Sequence, residues 1–110
     1  MRAFLLAALV AAIGAAPANP AARTVTVHIH GFAYVPSKIT VTVGTTVHWV
    51  NDDSEAHTVS AVDRSFDSAG LDTGEYWNQT FTKVGSVSYF CALHPYMKGV
   101  VVVVAGGSKQ

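Results

Sequence analysis

An all-β domain, a sandwich or barrel, is the fold class the sequence predicts, and three features predict it. Short runs alternate apolar and polar residues, turn residues separate those runs, and no stretch from residue 19 onward keeps a helical period over ~10 residues.

The elements follow in order. Val25, Val27 and Ile29 alternate with Thr26, His28 and His30, the period of a half-buried strand. Phe32 to Ser37 is a connection containing Pro36. Ile39, Val41 and Val43 alternate with Lys38, Thr40 and Thr42, and Gly44-Thr45-Thr46 supplies a turn before Val47 and Trp49, which predicts a hairpin there. Asn51 to Ala56 is polar and acidic and is expected to be a solvated loop. Thr58 to Val62 reads as a short strand, and Asp63 to Gly74 as the longest irregular connection. Strands are expected over Glu75 to Thr82, over Val87 to Phe90 with Gly85 opening it, and over the valine run Val100 to Val104, the last as a central strand with little solvent on either face. The tail from Gly106 is expected to be loose. Trp49, Trp77 and Phe81 are expected in the core.

The amino terminus reads as an export signal over residues 1–18, leaving a single domain over residues 19–110. Arg2 provides the positive start, Ala3 to Ile13 the apolar stretch, and Ala16-Pro17-Ala18 the small residues of a cleavage site. The apolar stretch falls well short of the ~20 residues that span a bilayer, so no membrane insertion is expected after cleavage. The destination is the periplasm or another exported location. Seven basic residues balance seven acidic ones, with no basic run to neutralise phosphates, so nucleic acid is excluded as a partner.

An exported chain with a single cysteine, Cys91, has no internal disulfide. A lone thiol in an oxidising compartment needs burial or coordination, and its neighbours point to coordination. Cys91, His94 and Met97 follow one another with two-residue spacers between two expected strands, so one tight loop can turn all three side chains toward a point. A second imidazole must come from elsewhere, and His57, at the mouth of another strand, is the best candidate. Two imidazoles, a thiolate and a thioether suit copper as an electron-transfer centre; zinc sites rarely recruit methionine. Four protein donors leave no position for substrate or metal-bound hydroxide, so the chain is expected to be no enzyme. His28 and His30 are expected on the sheet surface, and the roles of these two and of His48 stay open at this level.

The stretch from Phe81 to Val104, with Val47 to Asn51 and His57-Thr58-Val59, resembles the plastocyanin and amicyanin group of cupredoxins, and the short spacer between His94 and Met97 resembles amicyanin. The resemblance implies a Greek-key β-sandwich of about eight strands with one type 1 copper ion cycling between Cu(I) and Cu(II). Its ligands would be His57, Cys91, His94 and Met97. It implies a monomeric electron-transfer protein whose redox partner, a dehydrogenase or cytochrome, docks near His94, Pro95 and Tyr96. A copper carrier or storage protein is the rival reading. Two departures from the group carry expectations. Thr58 stands where many relatives have asparagine, and its hydroxyl is expected to tie the two ligand loops together. Leu93 stands where amicyanin has proline, and its N–H is expected to point at the Cys91 sulfur.

Overall fold

A computed structural model describes residues 23–106 of the chain. The described residues form eight strands: β1 (Thr24–Ile29), β2 (Tyr34–Val35), β3 (Lys38–Thr42), β4 (Thr46–Asn51), β5 (Ser60–Ala61), β6 (Tyr76–Thr80), β7 (Gly85–Phe90) and β8 (Lys98–Val104). They make two four-stranded sheets, ordered β2-β1-β4-β6 and β3-β8-β7-β5. This is the sandwich implied by the sequence. The expected signal segment and residues 107–110 of the expected loose tail lie outside the described residues.

Alternation sorts the side chains as the pleat requires. Val27, Ile29, Val47 and Trp49 from one sheet meet Val41, Tyr89, Val101 and Val103 from the other in a single core. Trp49 is fully buried, with Phe81 against it and Trp77 half-buried alongside. The valine run is central, between β3 and β7, but only one of its faces is dry. Val101 and Val103 are buried while Val100 and Val102 are half-buried.

The turn at Gly44-Thr45 does not make the expected hairpin. β3 pairs in parallel with β8, and β4 pairs in parallel with β1 and antiparallel with β6, so the turn carries the chain from one sheet to the other. Phe81 fixes that crossing: its carbonyl accepts from Gly44 N at 2.7 Å and its N–H donates to Thr45 O at 2.9 Å. Gly44, at φ +95°, takes the left-handed conformation the turn needs. β2, a two-residue strand against β1, arises inside the segment expected to be only a connection.

Register brings the functional loops to one end. β1 and β4 run in step, with Ile29 opposite Asn51, so the β1–β2 and β4–β5 loops leave the same edge. β7 and β8 pair from Phe90–Lys98 onward, which places the loop from Cys91 to Met97 as the link between adjacent central strands.

Candidate metal centre

Cys91 follows the last residue of β7 and is fully buried. Its loop is wound by successive backbone bonds: His94 N–H to Cys91 O at 3.2 Å, Met97 N–H to His94 O at 2.9 Å, and Cys91 N–H to Met97 O at 3.1 Å. These bonds bring the start and end of the loop together immediately before β8. Met97 is 2% exposed and therefore turned inward, whereas His94 is half-buried. His57 arrives from the β4–β5 loop, where it forms a two-bond bridge with Leu71 (3.1 and 2.7 Å), and its ring is fully buried.

The donor atoms converge. Cys91 Sγ lies 3.7 Å from His57 Nδ1 and 3.7 Å from His94 Nδ1. The three donors sit within 4.8 Å of one another, the one group of this kind among the described residues. A metal bonded at ~2.3 Å to sulfur and ~2.0 Å to nitrogen spans such a pair when the angle at the metal is about 120°. The spacing thus fits a trigonal set, and the soft donor chemistry fits copper.

The surroundings orient Cys91 and His57. Thr58 N–H donates to Cys91 Sγ at 3.3 Å, and Ala92 N–H donates to Thr58 Oγ1 at 2.7 Å. The threonine hydroxyl therefore ties the two loops, as expected. Among the described residues no hydrogen bond runs from Leu93 to the sulfur; the turn that closes from Cys91 O to His94 N–H leaves Thr58 as the backbone donor, which corrects that expectation. Asn51, fully buried, braces the His57 loop by donating through Nδ2 to Glu55 O (2.8 Å) and Leu71 O (2.9 Å).

Asp53 is the residue that sequence reasoning missed, having placed it in a solvated acidic loop. Its carboxylate accepts from Gly31 N–H at 2.7 Å, Phe32 N–H at 2.8 Å and His57 Nε2–H at 2.9 Å. Desolvation pushes this carboxyl up, but the Phe32 and Gly31 amides and the His57 imidazole outweigh it and hold the group below the usual carboxylate range. With Nε2 carrying the proton toward Asp53, the Nδ1 lone pair of His57 faces Cys91. The one sequence signal for this role was position: Asp53 lies four residues before His57.

The other histidines stand apart. His28 donates through Nδ1 to Asp52 at 2.6 Å on the exposed face of β1, and His30 is exposed. His48 donates to Asn78 Oδ1 at 2.6 Å and packs against Tyr76.

Sequence and structure comparisons agree with this architecture. The model of the cupredoxin-like domain matches residues 2–103. Amicyanin from Paracoccus versutus is 32% identical over 93 residues, covering 80% of this chain and 70% of the relative. A solved Cu(I) form of an amicyanin variant superposes with a TM-score of 0.70 at 30% identity, over 73% of this chain and 81% of that one. A purple cupredoxin from Nitrosopumilus maritimus gives 0.68 at 31% identity, over 72% and 98%. The chain belongs to the cupredoxin-like family. Within it, the likeness is to amicyanin, as the short ligand-loop spacing implied.

Proposed function

We propose that His57, Cys91, His94 and Met97 hold one type 1 copper ion, and that the protein is an electron carrier. The observation that carries this reading is the buried Cys91 sulfur flanked at equal distance by two imidazole nitrogens. Bound copper supplies reversible one-electron chemistry. The protein's own part is to hold the donors still and keep water out. His57, Cys91 and Met97 are at most 2% exposed, and hydrogen bonds through Thr58, Asn51 and Asp53 lock their loops. Donors that need not move between oxidation states lower the cost of electron transfer, and a site with four protein donors offers no position for substrate.

His94, the half-buried ligand, is where electrons enter or leave. Leu93 is 55% exposed and Tyr96 68% exposed, with Pro95 exposed between them. This apolar ground around the imidazole edge is the face on which a redox protein, a dehydrogenase or a cytochrome, docks against a monomer. Residues 1–18 act as a cleaved signal, delivering the domain of residues 19–110 to the periplasm.

Copper delivery is the competing role, and metal retention separates the two. The copper-loaded protein is cycled with ascorbate and ferricyanide in the presence of a Cu(I) chelator. Repeated bleaching and recovery of colour with metal retained is the expected result. Loss of copper to the chelator within the first reduction would assign delivery instead.

A further inference from the structure

Phe32 occupies a conformation that its own chemistry disfavours. Gly31 and Phe32 are consecutive left-handed residues at φ +64° and +58°; glycine takes this region freely, but a bulky side chain does so at a cost. The residue is also 37% exposed, a second unfavourable placement for a large apolar group. Two observations account for both. The pair of successive N–H groups grips the Asp53 carboxylate, the same carboxylate that receives His57 Nε2–H. The phenyl ring so held meets His57 and His94 edge-on, with centroids 5.0 Å from each, while the two imidazoles are 4.9 Å apart.

We propose that Phe32 is the cap of the metal centre: latched by Asp53, its ring closes the gap between the two imidazoles and governs the exchange of metal and small reagents with Cys91. The proposal rests on the copper reading for its metal half, but its steric half concerns the thiol alone. An aromatic ring at this place covers the fully buried His57 and one side of the half-buried His94 without coordinating anything, and its departure would leave the buried sulfur reachable between them. The Asp53 latch accounts for the left-handed backbone at Phe32, and the edge-on contacts with His57 and His94 account for where its ring sits.

Phe32→Gly separates capping from stability, because it removes the ring and relieves the left-handed strain together. Phe32→Leu retains apolar bulk, and Phe32→Ala serves as a second opening variant. Two rates are measured: alkylation of Cys91 by iodoacetamide in the metal-free protein, and transfer of copper from the loaded protein to an excess of chelator. Phe32→Gly and Phe32→Ala should raise both by ~10-fold or more, the scale on which groups surrounding a metal act. Phe32→Leu should fall between them and the parent. The visible band of the loaded variants should stay in place, because the four donors are untouched, and the melting temperature of metal-free Phe32→Gly should not fall. Rates within two-fold of the parent in both assays, or acceleration only in variants that have lost thermal stability, overturn the cap. If the parent forms no coloured copper complex, the copper reading fails, and the alkylation rates still decide whether Phe32 shields the thiol.

Discussion

Thr58 serves the site through three of its atoms. Its N–H donates to Cys91 Sγ, its hydroxyl accepts from Ala92 N–H, and its carbonyl accepts from the Tyr34 hydroxyl. Thr58→Val keeps the shape and the first bond but leaves the Ala92 N–H facing a methyl group. A partly buried donor stranded in this way costs about 1–3 kcal/mol, which urea unfolding of the metal-free protein would read as a lower midpoint. Thr58→Ser, which restores the hydroxyl, should recover most of that loss. Equal stability of the valine and serine variants would show that the hydroxyl ties nothing. At this scale the sequence was informative where donors are contiguous: Cys91, His94 and Met97 share one loop, and their spacing alone suggests a centre. It was silent where the partner is remote. The amides that hold Asp53 lie 22 and 21 residues away in another loop, and only the folded β1–β2 connection brings them to it. Nor does a phenylalanine in a sequence announce a positive φ.

Strand pairing carries the loop from Cys91 to Met97. Gly99, in β8, sits directly opposite Tyr89 of β7, two residues beyond Met97. A Cβ at position 99 would collide with Tyr89 Cζ and its hydroxyl oxygen, and Tyr89 is itself 1% exposed. Gly99→Ala should therefore cost about 1–3 kcal/mol by overpacking, lowering the melting temperature by roughly 4–8 °C for each kcal/mol in a domain of this size. Gly70→Ala, where nothing lies within 4 Å of the added carbon, should change stability by less than ~0.5 kcal/mol. Matching melts for the two variants would contradict the close approach. Element identity was largely legible, because period-2 alternation marks a strand whichever sheet it joins. Partnership was not. Gly44-Thr45 reads the same whether it closes a hairpin or passes between sheets, and only Phe81, bonded to both sides of the turn, distinguishes them. β2 escaped notice because two residues beside Pro36 are too few to show alternation.

At the scale of the whole molecule, the sandwich is a dry frame with a soft-donor centre at one end. Tyr34 and Tyr89 pack against each other within the core, their ring centroids 4.7 Å apart. Burial pushes the Tyr89 phenol up to about 12. Burial first, then the Cys91 thiol and Tyr89, raise that of Tyr34 as well. An acid whose folded pKa is raised contributes stability that is complete below its unfolded value, ~10 for tyrosine. That contribution disappears as pH climbs toward the folded value. The domain should therefore lose stability above about pH 10. In an alkaline absorbance titration, two of its four tyrosines should ionise late and together with unfolding. All four ionising in one early step would mean the two rings are not buried as described. The fold class and the Cys91–Met97 motif could be read from residues 19–110 because both are local patterns; the Phe32 contacts, the sheet crossing and the Asp53 brace depend on contacts between distant segments.

Copper binding by the purified domain tests the central claim most directly. Titration with Cu(II), followed by visible absorption, should develop an intense thiolate-to-copper band that saturates at one equivalent, bleaches on reduction and is absent in Cys91→Ser. A nearly colourless complex, or a titration that Cys91→Ser leaves unchanged, would mean that the sulfur at the centre of this site does not hold the metal.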